Sequence, residues 1–161
     1  MNNTYQPISD KEAELTIALV KQFLTPDLLK GKYVNRPLNA HNTWGLCSVA
    51  SEAIYFILGG PKRGLVSYVA RDTDGSTHWW LKDSTGKIID PTIEQYTSIG
   101  LLPPYQRGIS GKPCGFMGIR IDINNKFGFD RKPSNRASIL LNNIFSEPTN
   151  ITESKNIKNK I

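Results

Sequence analysis

The sequence predicts an α+β domain in which a buried helix packs against an antiparallel sheet. Three observations lead there. Residues 10–24 and 46–58 carry apolar side chains at helical spacing, whereas residues 65–90 break into three short strand candidates separated by turn formers. With 161 residues, 39% of them apolar, the chain can bury one core but not two ordinary domains.

The elements follow in order. Ser9 and Glu12 have the form of a capping box, and Ala13, Ile17, Val20 and Leu24 then line one face of a helix over 10–24. Thr25-Pro26 predicts a short second helix through Leu29, ended by Gly31. A polar connection runs from Lys32 to Thr43. From Leu46 to Leu58 apolar residues nearly encircle the axis until Gly59-Gly60-Pro61, which describes a buried central helix. Strands are expected over Leu65–Ala70, Thr77–Lys82 and Lys87–Asp90, with Asp72-Thr73-Asp74-Gly75 and Asp83-Ser84-Thr85-Gly86 as the turns. Gly and Pro residues from Pro91 to Gly115 predict irregular loops, with a further strand at Phe116–Ile123. Ser134 is the expected cap of a last helix with Ala137, Leu140, Leu141 and Ile144 as its stripe. Residues 1–146 are read as a single domain and 147–161 as a disordered basic tail.

No apolar run approaches a membrane span, and the N-terminus lacks the regions of a secretory signal, so a cytoplasmic protein with no membrane partner is expected. In that compartment Cys47 and Cys114 are not expected to pair. The net charge of +6 is uneven: residues 1–100 carry ten Lys/Arg and ten Asp/Glu, residues 101–161 ten and four. A basic C-terminal third attracts nucleic acid or an acidic partner in principle. It lacks the interleaved aromatics that base stacking needs, so nucleic acid is not favoured.

The chemistry centres on Cys47, at the first turn of the central helix after Trp44-Gly45-Leu46. Unpaired N–H groups and the helix dipole at such an end favour a thiolate and can stabilise an oxyanion. The plainer alternative is a small buried hydrophobe. His78, one of two histidines, lies in the strand Thr77-His78-Trp79-Trp80, where alternation puts His78 and Trp80 on one face and Trp79 and Leu81 on the other. An odd turn pairing 82 with 86, or 81 with 87, sets Asp90 opposite His78; a four-residue turn leaves it one step off. Directly opposed Cβ atoms are about 4.5–5.5 Å apart, close enough for a carboxylate to hold an imidazole. A half-buried histidine and a turn-forming aspartate are the plainer alternatives here. Trp44 and Trp80 are candidate walls of a substrate groove, or core; Gly45 allows close approach of a substrate backbone, and Gln95 is a further candidate donor. Glu52 is read as solvated or capping, His41 as a less favoured base, and Cys114 as a bystander. No cluster has metal-ligand spacing and no cofactor is expected.

The runs Trp44-Gly45-Leu46-Cys47-Ser48-Val49-Ala50-Ser51-Glu52-Ala53, His78-Trp79-Trp80 and Ile89-Asp90-Pro91-Thr92 resemble the Cys, His and Asp segments of transglutaminase-like proteins, a branch of the papain-type cysteine enzymes. They also resemble segments of short proteins of bacterial viruses. The resemblance covers residues 44–95 and implies a papain-like core with Cys47 as nucleophile, His78 as general base and acid, and Asp90 as orienting carboxylate. The 31-residue distance from Cys47 to His78 is compact for that family. A hydrolase or acyltransferase is then expected, acting on an amide, ester or thioester of a peptide, protein or small molecule through acyl-Cys47. Water as acceptor gives a peptidase, amidase or deamidase; an amine gives transglutaminase-type transfer. The alternative is a non-enzymatic module that binds nucleic acid or a host protein through the basic C-terminal third, or that inhibits a partner enzyme.

Overall fold

Ser9 begins the first helix as its position predicts: its hydroxyl accepts the Glu12 N–H at 3.1 Å, and α1 spans Asp10–Gln22. The other half of a capping box does not form. The Glu12 carboxylate instead takes two hydrogen bonds from Arg63, at 2.9 and 3.0 Å, and Arg63 also donates to the Gln6 and Pro7 carbonyls. Helix α1 buries Ala13, Thr16 and Val20. Pro26–Leu28 then forms a single 3-10 turn, and Gly31 opens a second one, Gly31–Val34, rather than ending a helix. A computed structural model describes residues 4–110, 120–121 and 131–146.

Helix α2, Cys47–Ile57, is buried nearly all round, as its sequence predicts. It packs between α1, strand β2 (Thr77–Lys82) and α4 (Asn135–Ser146). Ser134 caps α4 by accepting the Ala137 N–H at 3.3 Å, and Ala137, Leu140 and Ile144 face inward. With Val49, Ala53, Ile54, Trp79, Leu81 and Ile89 they form the main apolar cluster. Each large apolar side chain fully buried there contributes roughly 1.5–3 kcal/mol.

The sheet has the order β3-β2-β1-β4, with β1 Val66–Arg71, β3 Ile88–Ile89 and β4 Ile109–Ser110, and all neighbours are antiparallel. The β2–β3 register is Leu81↔Ile89 and Lys82↔Ile88, two residues beyond the pairing expected from an odd turn. The Asp83 carboxylate causes this. It accepts from the Thr85 N–H, the Thr85 hydroxyl and the Lys87 N–H, while Asp83 and Lys87 close the ladder backbone to backbone at 3.1 Å. The loop is therefore Ser84-Thr85-Gly86, with Gly86 at φ +85° in the left-handed position that a three-residue hairpin requires.

Within the stretch read as irregular, a short helix α3, Glu94–Thr97, and the edge strand β4 form. Of the strand expected at Phe116–Ile123, Arg120–Ile121 (β5) pairs with Arg131–Lys132 (β6); the rest of it, Cys114 and the tail from residue 147 lie outside the described residues. Among the described residues the fold is α+β, four helices and a four-stranded antiparallel sheet beside the β5–β6 pair, and no helix is long and apolar enough to cross a membrane.

Candidate active site

His78 is the second residue of β2, and alternation turns it away from the helices, with Trp80. Its ring is 1% exposed, stacked on Trp80 at 5.8 Å between centroids and met edge-on by Tyr96 at 4.8 Å. Nε2 lies 2.7 Å from Asp90 Oδ2. The pairing is diagonal rather than directly opposed: carrying the β2–β3 register one step past Ile89 sets Asp90 level with Trp80. Parity keeps Asp90 on the face of His78, because the register is displaced by two residues and only an odd displacement turns the side chain to the other face. Asp90 is then held from several directions. Its Oδ1 accepts the Thr92 N–H at 3.0 Å and the Thr92 hydroxyl at 3.4 Å, and its Oδ2 accepts the Tyr105 hydroxyl at 2.8 Å.

Cys47 is the first residue of α2, a free thiol 5% exposed, and donates to the Thr77 carbonyl at 3.5 Å. One turn on, the Ser51 hydroxyl donates to the Trp79 carbonyl at 3.1 Å. Four residues of helix rise about 6 Å and two of strand about 6.6 Å, so this i,i+4 pair matches alternate carbonyls of β2 and sets the helix end at the start of the strand. The second ring nitrogen of His78, Nδ1, has no hydrogen-bond partner among the described residues. Burial pulls the His78 pKa down, but the hydrogen bond and charge of Asp90, with the nearby Cys47 sulfur, outweigh it and raise the ring to about 9. The imidazolium is therefore favoured at neutral pH, between the Asp90 carboxylate and the Cys47 sulfur.

The remaining sequence candidates divide. Trp44 is half-buried, its ring 5.0 Å from Tyr33, whose hydroxyl accepts the Thr77 N–H at 3.4 Å. It thus flanks the Cys47 end of β2. Gly45 has φ +78°, and a Cβ there would lie 2.8 Å from Leu29 and Tyr33 side-chain atoms, so its missing side chain makes room for packing. Trp80 is fully buried, stacked on Tyr68 and tilted against Tyr105, which makes it core rather than a groove wall. Gln95 lies in α3 with its Nε2 buried and unpartnered among the described residues. His41 is occupied locally, its Nδ1 accepting the Thr43 N–H at 3.2 Å beside the Thr43 hydroxyl. No carboxylate is hydrogen-bonded to His41 among the described residues, and Glu94 pairs with Lys21.

Glu52 is not solvated. It is 1% exposed and accepts the Ser134 N–H and hydroxyl at 2.7 and 2.8 Å, so its capping role serves α4, far along the chain. Burial pushes its pKa up, and the bonds from Ser134 with the charge of Arg136 pull the other way. Arg136 donates to the Leu28 carbonyl at 2.7 Å; burial lowers its pKa, and the charges of Glu52 and Cys47 oppose that. Sequence reasoning missed Arg136, and it missed Tyr96, Tyr105, Asp72 and Arg107. Tyr96 donates to Asp72 at 2.7 Å, and Arg107 pairs with the other Asp72 oxygen at 3.1 Å. An aromatic hydroxyl inside the Gly/Pro-rich stretch after Pro103-Pro104 was the available signal for Tyr105. No family model, curated protein or solved structure matches the chain.

Proposed function

We propose that the chain is a cysteine-dependent hydrolase or acyltransferase of papain-like, transglutaminase-type fold. The observation that carries this reading is the His78 ring, bonded through Nε2 to Asp90 at 2.7 Å, with Nδ1 unpartnered and the Cys47 thiol near enough to raise its pKa. A structural histidine gains nothing from a buried nitrogen without a partner. A catalytic one needs it free for a proton in transit.

The reactive state is a Cys47 thiolate beside the His78 imidazolium, the proton on Nδ1 being the one the thiol gave up. The thiolate sulfur adds to the carbonyl carbon of an amide, ester or thioester, and the π electrons move to oxygen. That oxyanion is offered the N–H groups at the start of α2, upstream of the first intrahelical bond, Ala50 N–H to Leu46 carbonyl. Collapse expels the amine, alcohol or thiol, which takes the proton from His78. Water or an amine then attacks acyl-Cys47 while His78 accepts its proton, and the acid or new amide leaves with the thiol restored. The slight exposure of Cys47 and the full burial of His78 favour a projecting amide or ester over a segment inside a folded partner.

Iodoacetamide alkylation with mass-spectrometric readout tests this reading. Cys47 is expected to react faster than Cys114 near neutral pH, and His78→Ala to remove the advantage. Equal rates, or a rate indifferent to His78→Ala, overturn the proposal. Salt-sensitive affinity for DNA or RNA that survives Cys47→Ala supports the binding module instead.

A further inference from the structure

The turn Tyr105–Arg107 and the glycine after it touch the surroundings of His78 in three separate ways. The Tyr105 hydroxyl donates to Asp90 Oδ2, the same oxygen that holds His78 Nε2. Arg107 pairs with Asp72, which accepts the hydroxyl of Tyr96, the ring set edge-on to His78. Gly108 lies against Trp80 so closely that a Cβ would stand 2.2 Å from its ring, and Trp80 stacks on His78. Three of four consecutive residues thus bear on one imidazole, through its carboxylate partner, the ring at its edge and the ring on its face.

We propose that Tyr105 is a positioning residue that sets the proton affinity of His78 by sharing Asp90 Oδ2 with the imidazole. A carboxylate oxygen that accepts a phenolic proton has less charge to offer a second donor, so the tyrosine weakens the hold of Asp90 on imidazolium. Thr92 satisfies the other oxygen, Oδ1, and leaves Oδ2 as the atom over which His78 and Tyr105 compete. Burial, then the charge and hydrogen bond of Asp90, hold Tyr105 protonated well above its ordinary range, so it stays a donor wherever His78 titrates. The other groups facing the ring, Cys47 and the Tyr96 ring, do not compete for Oδ2; Arg136 acts on the Cys47 side and Asp72 on Tyr96.

This rests on the reading of Cys47 and His78 as the reacting pair, but the coupling is readable without turnover. The experiment follows the two imidazoles of the 15N-labelled full-length protein by long-range 1H–15N NMR across pH, with Tyr105→Phe beside the parent, each also with Cys47→Ala. Loss of the shared proton is expected to raise the His78 midpoint by roughly half a unit to one unit, in both Cys47 backgrounds, and to leave His41 unmoved. The pH at which Cys47 alkylation changes rate moves with it. An unmoved His78 midpoint in a Tyr105→Phe protein with the parent's near-UV circular dichroism overturns the proposal, even if Cys47 proves fully reactive. Where Tyr105→Phe fails to fold, fluorotyrosine incorporated at the six tyrosines keeps the shape and makes the hydroxyl a stronger donor. It is then expected to lower the midpoint, and an unchanged or higher value overturns the proposal as well. Slow alkylation of Cys47 together with a displaced His78 midpoint sinks the enzyme reading while leaving the coupling intact.

Discussion

Both faces of β2 are buried, and they are buried for different ends. Trp79 and Leu81 look toward α1, α2 and α4 and meet an apolar cluster, whereas His78 and Trp80 look away and meet Asp90, Tyr68, Tyr96 and Tyr105. The helix-side face is held by area, which any well-filled apolar surface supplies. On the other face the ring of His78 and the carboxylate of Asp90 have specified neighbours; among the described residues Trp80 Nε1 and His78 Nδ1 are left open, and Nδ1 is on the side where the thiol acts. One strand therefore divides stability from chemistry at alternate residues, so substitutions one position apart should fail in different assays.

The largest effect is expected from Asp90→Asn. Without the carboxylate charge, burial is opposed only by Cys47, and the His78 midpoint should fall well below about 9, by NMR titration. Each unit of displacement costs about tenfold in the imidazolium fraction once pH exceeds the midpoint, and Cys47 alkylation at pH 7 should fall with it. The sign for stability follows from the raised value. In the parent the stabilisation from His78 is fully present below the unfolded midpoint near 6.5 and is lost as pH rises toward about 9, whereas Asp90→Asn should lack that alkaline decline in urea-midpoint measurements.

Trp79→Ala breaks the comparison from the other side. It should cost about 3–5 kcal/mol in denaturant unfolding while the folded fraction keeps the parent His78 midpoint. Gly108→Ala should touch both properties at once, because its Cβ must displace Trp80 from its place on His78. A loss of about 1–3 kcal/mol is expected, with a displaced His78 midpoint; a stable protein with an unmoved midpoint contradicts the contact. Smallest is Ser9→Ala, which removes the α1 cap and should cost about 0.5–2 kcal/mol with no change in His78 titration.

The sequence carried α1, α2, α4, the strand of His78 and the candidate triad, because the signals involved are short-range. Ser9 and Ser134 cap within three residues, and the 77–82 alternation needs only the strand itself. The hairpin arithmetic had the correct parity and the wrong offset, since the Asp83 side chain moves the three-residue loop one position along the chain, to 84–86. Glu52 shows the opposite case. Nothing near it in sequence announces that its carboxylate receives Ser134, eighty-two residues away.

What the sequence by itself determined is therefore the local frame: a thiol at a helix start, an imidazole on an alternating strand, and a carboxylate of matching parity on the neighbouring strand. Only the tertiary structure decided how that frame is completed. Tyr105 reaches Asp90, Arg107 and Asp72 hold Tyr96 against His78, and α4 brings Arg136 toward Cys47. The physical reason is range. Caps, turns and alternation are fixed by backbone geometry over a few residues, whereas these partnerships form only when packing brings distant segments within hydrogen-bond distance.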